Sequence, residues 1–300
     1  MCPIKERSLS SPPDCRLRVG TSGYSYPEWV DAGFYPPGTP AREMLAQYAK
    51  IFSVTELNYT WYQMPKASAM ERMVLKVPPD FGFAAKLTRT MTHEIDTTGW
   101  RSHTTRFREG VAPLVQARRL LAILIQLPPS FDRQRSHRLY LGRLLDALER
   151  LPLAVEFRHR SWANDRVFAE LERRGVTLVT VDVPDLPYLF PSLDVLTNPA
   201  MVYIRFHGRN SRGWRSGNMQ KQFDYDYRAE ELQQWSGSTI PKMVQQAHNG
   251  IIFFNNHVRA QAPHNARMLM EQLSAQGFCE AGTKERRTSN VQHRTLKEKG

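Results

Sequence analysis

The sequence predicts a single α/β domain with the TIM-barrel-like (β/α)8 fold. Eight short apolar segments of strand type alternate with segments of helical periodicity, which is typical of a parallel sheet covered by helices. Eight is also the number of strands that closes such a sheet into a barrel. The chain has 300 residues, of which 41% are hydrophobic, and barrels of this length commonly form one domain.

The predicted strands are short runs of apolar and β-branched residues, which favour extended structure. In chain order they cover residues 17–21, 54–59, 82–88, 121–127, 153–158, 177–182, 201–206 and 251–255. The predicted helices cover residues 41–52, 66–76, 106–119, 136–151, 164–174, 227–247 and 262–276. Asn164 or Asp165 is expected to cap the fifth helix and Gly175 to end it. The sixth connection, 184–199, has no clear long helix, and we expect a short or irregular one there.

Both ends of the chain are predicted to be disordered tails outside a barrel domain of residues 16–278. Residues 1–15 contain several serines and prolines, and residues 279–300 are polar and basic with almost no large apolar side chain. Such segments cannot bury enough apolar surface to offset the entropy lost on ordering.

The cysteines and the apolar segments indicate a cytoplasmic protein without membrane contact. Cys2, Cys15 and Cys279 are far apart and form no CxxC pair, which favours neither a disulfide framework nor a zinc site. The longest apolar run, at 120–125, is far shorter than a bilayer span. The first residues lack the apolar core of a secretory signal.

Positive charge is distributed unevenly along the chain, whose net charge is +12. Residues 101–150 contain ten arginines and four acidic residues, and residues 200–221 contain five basic residues and no acidic one. Such segments either attract nucleic acid and phosphorylated ligands or form a solvated basic surface. We favour the solvated surface for 101–150 and contact with an anionic partner for 200–221.

Strand alternation predicts a ring of polar side chains inside the barrel, near its C-terminal end. Successive residues of a strand point to opposite faces, so the apolar positions that suit the helix layer leave the residues between them facing inward. The inward set is Glu56, Asn58, Lys86, Gln126, Glu156, Arg158, Thr180, Asp182, Tyr203, Arg205 and His207, followed by Asn255, Asn256 and His257 after the last strand. Barrel interiors are normally filled by Val, Ile and Leu, so this ring must be paired, solvated or bound to a ligand.

Two interpretations of the polar ring stay open. One is a closed ion-pair network, because three acidic and three basic side chains balance: Glu56, Glu156, Asp182, Lys86, Arg158 and Arg205. The other is a functional site, because the ring lies at the C-terminal strand ends where barrel enzymes place their catalytic residues. We favour the functional site.

Several sequence motifs resemble those of the YecE-like family, also called domain of unknown function 72. They are GTSGYSYPEW (20–29), FYP (34–36), ELNYTWYQMP (56–65), FAAKLTRTMTH (83–93), QLPPSF (126–131), AVEFRHRSW (154–162), YIRFHGR (203–209), FFNNH (253–257) and APHNARML (262–269). The resemblance covers roughly residues 17–277 and implies a TIM-barrel-like fold, but it supplies no reaction. The sequence departs from the family pattern at Tyr24, where tryptophan is common, and at Trp61, where phenylalanine is common.

The basic members of the ring suit an anionic ligand. Lys86, Arg158 and Arg205 together could hold a carboxylate or a phosphate, since arginine offers a bidentate fork and lysine a compact charge. The segment 207–218, which contains Arg209, follows the seventh strand, where barrels often bind phosphate. The alternative for this segment is a mobile surface loop.

The acidic and neutral members suggest proton transfer and ligand contacts. Glu56 and Glu156 are candidates for an acid–base pair, with His207 as a proton carrier or ligand. Alternatively, each carboxylate only pairs with a basic neighbour. The remaining polar residues predicted to contact a ligand are Asn58, Asp182, Asn255 and Asn256.

A metal site is not favoured, and no cofactor is assigned. His93, His207 and His257, with Glu156 and Asp182, could supply metal ligands from different strands, but they form no HxH or HExxH motif. No Walker A loop, nucleophile elbow or GxGxxG motif is present either. Four aromatic residues lie just beyond the ends of predicted strands: Tyr24, Trp29, Tyr62 and Trp162. They either stack on a ligand or only pack against the protein.

The leading functional prediction is an enzyme of unassigned reaction and unknown cofactor. It acts on a small polar or anionic ligand, such as a phosphorylated compound or a sugar, at the C-terminal mouth of the barrel. One alternative is a protein that binds or processes nucleic acid, suggested by the charge of residues 200–221. Another is a non-catalytic ligand-binding barrel.

Overall fold

Eight parallel strands form a closed barrel in the computed structural model, which describes residues 16–279. Each strand pairs with the next along the chain, and the last strand pairs with the first. The strands are β1 (Arg16–Ser22), β2 (Val54–Leu57), β3 (Gly82–Lys86), β4 (Leu120–Gln126), β5 (Leu153–Glu156), β6 (Thr177–Asp182), β7 (Val202–Phe206) and β8 (Asn249–Phe254). The predicted (β/α)8 barrel is therefore confirmed. The tails predicted at 1–15 and 279–300 lie outside the described residues, apart from Cys279.

Helices surround the barrel and fill most of the connections between strands. They are α1 (Glu28–Asp31), α2 (Ala41–Tyr48), α3 (Tyr59–Tyr62), α4 (Ala67–Leu75), α5 (Trp100–Gln116), α6 (Arg135–Ala147), α7 (Asp165–Arg173), α8 (Ser211–Arg215), α9 (Met219–Gln222), α10 (Ala229–Gln234), α11 (Ile240–Val244) and α12 (Gln261–Ala275). The connection from β6 to β7, described in full at 183–201, is irregular as expected but lacks even a short helix. No helix within 16–279 is long and apolar enough to cross a membrane.

Local side-chain chemistry sets several helix ends. The Asn164 side chain accepts a hydrogen bond from the backbone N–H of Arg166 at 3.1 Å and so caps α7, as predicted. Gly175 follows α7 with φ of +62°, a conformation that other residues adopt only with strain. The helix predicted at 227–247 is broken by a π-helical turn over Trp235–Thr239. The break lies beside Pro241, which has no N–H to donate to the preceding turn.

The pairing register defines which side chains face the barrel interior. Residues paired across parallel strands point to the same side of the sheet. Ser22 pairs with Glu56, and Gln126 pairs with Glu156. The direct contact of Arg205 with both carboxylates confirms that β2, β5 and β7 present these residues inward, as strand alternation predicts.

The prediction that Thr180 and Asp182 point into the barrel is wrong. Val181 pairs with the inward Arg205, so Val181 faces the interior and its neighbours in β6 face the helices. The Thr180 hydroxyl accordingly donates to the backbone carbonyl of Leu193 at 3.0 Å. The error arose because β6 is apolar on its inner face, so hydrophobicity alone does not distinguish its two sides.

Candidate functional site

The polar centre of the barrel is built around the guanidinium of Arg205, which is completely buried. Its Nη2 donates to Glu56 Oε1 at 2.6 Å, and its Nη1 donates to Glu156 Oε2 at 2.5 Å. Burial alone would lower the pKa of Arg205, but the two carboxylates outweigh that effect and raise it. One planar guanidinium thus bridges strands β2, β5 and β7.

Glu56 accepts hydrogen bonds from three side chains on two other strands. The hydroxyl of Ser22 on β1 and the guanidinium of Arg205 both donate to Oε1. The hydroxyl of Tyr203 on β7 donates to Oε2 at 2.5 Å. Burial and the nearby Glu56 carboxylate raise the pKa of Tyr203 well above its usual value, so the phenol stays protonated as the donor. Both oxygens of Glu56 are therefore occupied.

Glu156 is held as an ionised carboxylate. Arg158 Nε donates to its Oε1, and Arg205 Nη1 donates to its Oε2. Burial would raise the pKa of Glu156, but the two guanidinium groups prevail and hold it well below the usual range. This geometry favours the alternative in which each carboxylate pairs with a basic neighbour, rather than the acid–base pair.

His207 completes this group as a neutral imidazole. Its Nε2 lies 3.3 Å from Glu156 Oε1, and its Nδ1 lies 3.1 Å from the Asn255 amide nitrogen. Burial and the positive charge of Arg158 hold the pKa of His207 well below its usual value. The inner cluster, as we call these side chains, consists of Ser22, Glu56, Glu156, Arg158, Tyr203, Arg205 and His207.

The segment after β7 covers the inner cluster. Trp214 of α8 is buried, and the Arg158 guanidinium lies over its ring, 5.1 Å from the centroid. Arg212 and Arg215, on the same short helix, are exposed. The segment 207–218 therefore folds as a cover that contacts Arg158 through an aromatic ring rather than through its arginines.

Three of the predicted ligand residues lie apart from the inner cluster. Arg209 forms an ion pair with Asp182 at 2.6 Å, and Trp235 donates from its indole N–H to the same carboxylate at 2.8 Å. Asn256 donates to the backbone carbonyl of Tyr225 at 2.8 Å and to the side chain of Asn265 at 2.7 Å. Asp182 and Arg209 thus join β6 to the helix layer, and Asn256 joins β8 to α12.

Asn58 and Asn255 lie at the edge of the inner cluster. The Asn58 amide donates to the backbone carbonyl of Ser22 at 3.2 Å, which links the ends of β1 and β2. Asn255 follows β8 on the inward side and contacts His207. These two asparagines are therefore near the mouth, as predicted, but both make contacts that position neighbouring residues.

The position of Asp182 changes the charge balance of the ring. Without it, three basic residues face only Glu56 and Glu156. Arg158 and Arg205 take both carboxylates as partners. The surplus cation is Lys86, whose ammonium has no hydrogen bond or ion pair among residues 16–279. The balanced network of three acids and three bases is therefore not what the fold assembles.

Lys86 is the last residue of β3 and is half-buried. Its Nζ lies 5.1 Å from the centre of the Trp61 ring, within the range of a cation–π contact. Burial, together with the positive charge of Arg205, lowers the pKa of Lys86 to about 7. The amine is therefore partly neutral at physiological pH.

His93 lies beside Lys86 and was not among the predicted ligand residues. The Trp61 indole N–H donates to His93 Nδ1 at 3.3 Å. Burial and the charge of Lys86 lower the pKa of His93 to about 4, so its ring is neutral. Because an indole only donates, Nδ1 is the acceptor and the ring hydrogen resides on Nε2. We call Lys86, Trp61 and His93 the Lys86 niche.

Strand alternation could not identify His93, because it lies beyond the end of β3, after the 3-10 turn Arg89–Met91. The sequence pointed to it only through the motif at 83–93 and as one of three histidines weighed as metal ligands. The aromatic residues singled out from the sequence divide into two kinds. Trp29 and Trp162 are buried in the core, whereas the Tyr62 side chain is 57% exposed at the rim.

Two further features of the described residues lie outside this region. No group of three or more His, Cys, Asp or Glu side chains within 16–279 is placed to hold a metal ion. A cavity of about 300 Å³ lies outside the barrel and is lined in part by Phe34, Arg259 and Arg267. It shares no lining residue with the inner cluster or the Lys86 niche.

Residues 18–288 match a family described as "Protein of unknown function DUF72". The UPF0759 protein YunF of Bacillus subtilis is 27% identical over 272 residues, which cover 86% of this chain and 94% of that protein. The UPF0759 protein YecE of Escherichia coli is 25% identical over 284 residues, which cover 86% of this chain and 92% of that protein.

Solved structures of the same family are similar along most of their length. A DUF72 family protein of Thermotoga maritima has a TM-score of 0.79 at 33% identity, covering 86% of this chain and 99% of that one. A DUF72 family protein of Enterococcus faecalis has a TM-score of 0.77 at 27% identity, covering 86% of this chain and 95% of that one.

Proposed function

Because the chain belongs to the DUF72 family, whose function is unknown, we propose its function from its own side chains: it is an enzyme that takes a small anionic ligand at the barrel mouth. Lys86 and Arg158 hold the anionic group in this proposal. The observation that carries it is the surplus cation, since Lys86 has no hydrogen bond or ion pair among the described residues.

Electrostatics supports an anion rather than a neutral or cationic ligand. Lys86 is half-buried and has no ion pair among the described residues, and a carboxylate or phosphate placed beside it would supply a partner of opposite charge. The inner carboxylates do not supply this partner, because Arg205 already bridges Glu56 and Glu156. A compact ammonium and a guanidinium together suit one carboxylate or one phosphate.

The lowered pKa of Lys86 supports an enzyme rather than a barrel that only binds its ligand. Efficient proton transfer needs a group with a pKa near the working pH. Lys86, with a pKa lowered to about 7, meets this condition, whereas the inner carboxylate Glu156 does not. Lys86 therefore replaces Glu56 and Glu156 as the candidate for proton transfer. Both glutamates keep the guanidinium groups in place.

The case for nucleic acid at residues 200–221 is weaker than the charge of that segment indicates. Arg205 is buried inside the barrel, and Arg209 is paired with Asp182. The basic residues of the segment that are exposed are Arg212, Arg215 and Lys221. Retention on DNA or RNA that weakens steeply with salt would revive this alternative.

A ligand screen tests the proposal. We would record thermal shifts of the wild type with inorganic phosphate and a panel of small phosphorylated and carboxylated metabolites, matched with neutral analogues. Anionic compounds should stabilise the wild type, and Lys86→Met should weaken their binding at least about tenfold, as expected for a charged contact in a partly buried site. The control is Lys66→Met, which removes an exposed lysine just before α4.

The outcomes separate the three functional classes. Anionic hits that the wild type converts to product support an enzyme, and hits that it binds without turnover support a non-catalytic barrel. Binding of neutral compounds that Lys86→Met does not affect would contradict an anion site at the mouth.

A further inference from the structure

We infer that the ε-amine of Lys86 is a nucleophile that forms an imine with a small aldehyde or ketone carrying an anionic group. This inference rests on the proposed anion site and adds the substrate class and the type of bond. It follows from where the amine lies, what surrounds it and which partners it lacks.

The position of Lys86 differs from that of every other described lysine. Six lysines lie between residues 16 and 279, and the other five, Lys50, Lys66, Lys76, Lys221 and Lys242, are exposed. Lys86 alone lies half-buried on the inner face of a barrel strand, at the C-terminal end where barrel enzymes react. Its amine is also without a hydrogen bond within the described residues, so no acceptor fixes its protons.

A nucleophilic amine must be neutral, and the surroundings of Lys86 favour the neutral form. Burial is the main cause that lowers its pKa to about 7, and Arg205 is the second. Arg158 acts in the same direction, while the carboxylates of Glu56 and Glu156 oppose it without prevailing. Desolvation beside other cations is a known way to activate a lysine toward carbonyl compounds.

The Lys86 niche supplies a surface for the carbonyl compound. The Trp61 ring lies under the amine and offers an apolar face. His93 is fixed by its bond from Trp61 in the tautomer that carries hydrogen on Nε2. We assign this N–H to the carbonyl oxygen, and the Arg158 guanidinium to the anionic group of the substrate.

The bond changes balance without any redox partner. The lone pair of neutral Nζ attacks the carbonyl carbon, and the carbonyl oxygen takes up the proton that nitrogen loses, which gives a carbinolamine. A second proton converts the hydroxyl to water, the C–O bond breaks, and the nitrogen lone pair forms the C=N bond. Amine and carbonyl compound thus give an iminium and, after loss of a proton, an imine and one water molecule.

Reductive trapping of the wild type tests the inference without a variant. The protein is incubated at pH 7 with glyoxylate, an anionic aldehyde, and sodium cyanoborohydride, which transfers hydride to any imine. Peptide mass spectrometry then measures the labelling rate of each lysine. A parallel reaction uses glycolaldehyde, a neutral aldehyde of similar size, and the five exposed lysines serve as internal controls.

We expect Lys86 to be labelled at least about 100-fold faster than the exposed lysines, because an ordinary lysine with a pKa of about 10.4 is almost wholly protonated at pH 7. Its rate should reach a plateau just above pH 7, whereas the rates of the exposed lysines should rise beyond pH 9. Glyoxylate should react with Lys86 faster than glycolaldehyde does.

Failure of the inference is distinguishable from failure of the proposed anion site. Labelling of Lys86 no faster than that of Lys66 overturns the imine, and binding of inorganic phosphate to the same sample then decides the anion site separately. Fast labelling of Lys86 with equal rates for both aldehydes upholds the imine and contradicts the anion site.

Discussion

The inner cluster and the Lys86 niche are adjacent regions of one barrel mouth. The charged groups of the inner cluster are paired with one another, whereas the amine of the niche is not, in the part of the chain that the structure describes. In the inner cluster, Arg205 bridges two carboxylates, and Glu56 and Glu156 have donors on both oxygens. In the niche, Lys86 has an aromatic face and no charged partner within the described residues. A paired network holds strands together, whereas an incompletely paired group keeps its chemistry available for a ligand.

Removing Arg205, the centre of the inner cluster, should have the largest effect on the free energy of unfolding. Arg205→Met leaves Glu56 and Glu156 buried without their shared partner, and breaking a buried ion pair typically costs about 3–5 kcal/mol of unfolding free energy. Urea denaturation of both proteins measures the difference. The control is Arg173→Met, which removes the ion pair with Glu170 on the exposed face of α7 and should change little. A loss no larger than that of the control would show that the inner cluster is not structural.

The pH dependence of the free energy of unfolding should report on Lys86 separately from the inner cluster. The folded pKa of Lys86 is lowered from 10.5 to about 7, so the unfolded chain binds more protons between these values. The wild type should therefore gain stability relative to Lys86→Met as the pH rises from 7 to 10, by a few kcal/mol. Below pH 7 the difference between the two proteins should be constant. Urea denaturation at pH 6, 7 and 9.5 checks the sign, and a flat difference would mean that Lys86 has an ordinary pKa.

Removing a single hydroxyl from the inner cluster should have an intermediate effect on the free energy of unfolding. Tyr203→Phe removes the donor to Glu56 Oε2 and leaves that oxygen buried without this bond, which typically costs about 1–3 kcal/mol. Tyr62→Phe removes a hydroxyl from an exposed ring at the rim and should leave the unfolding free energy unchanged. Equal effects of the two variants would contradict the structural role of the Tyr203 bond.

The exposed arginines of α8 should have the smallest effect on ligand binding. Solvent screens Arg212 and Arg215, so their joint replacement by methionine should change anion affinity by less than about twofold. The affinity for inorganic phosphate, measured by calorimetry at about 0.15 M salt, tests this expectation. A loss as large as that of Lys86→Met would place the anion on the surface of the cover instead of in the mouth.

Strand alternation predicted most of the fold and every member of the inner cluster except Ser22, which it did not single out. Glu156 and Arg205 point inward because their strand neighbours are large apolar residues that suit the helix layer, and Glu56 does so beside Leu57. The same logic failed for Asp182, because Val179 and Val181 fill the barrel interior and β6 is apolar on the opposite face from the one assumed. Two-sided burial removes the contrast on which alternation depends.

Partners across the mouth could not be predicted from the sequence. The ion pair of Asp182 with Arg209 and the bond from Trp61 to His93 join residues that are 27 and 32 positions apart in the chain. Such pairs arise from tertiary packing, which local periodicity does not encode. The outward position of Asp182, paired with Arg209, changed the charge count of the ring from balanced to a surplus of one cation, and that surplus is the basis of the proposed function.

The titration of Lys86 tests the central claim most directly. Lysine side chains labelled with ¹³C at Cε can be followed by NMR across pH 5 to 11, and Lys86→Met identifies the resonance that belongs to the niche. We predict one lysine with a pKa of about 7, which rises when inorganic phosphate binds, because a nearby anion favours the charged amine. A Lys86 that titrates near about 10.4 like the exposed lysines, with no response to phosphate, would contradict the account.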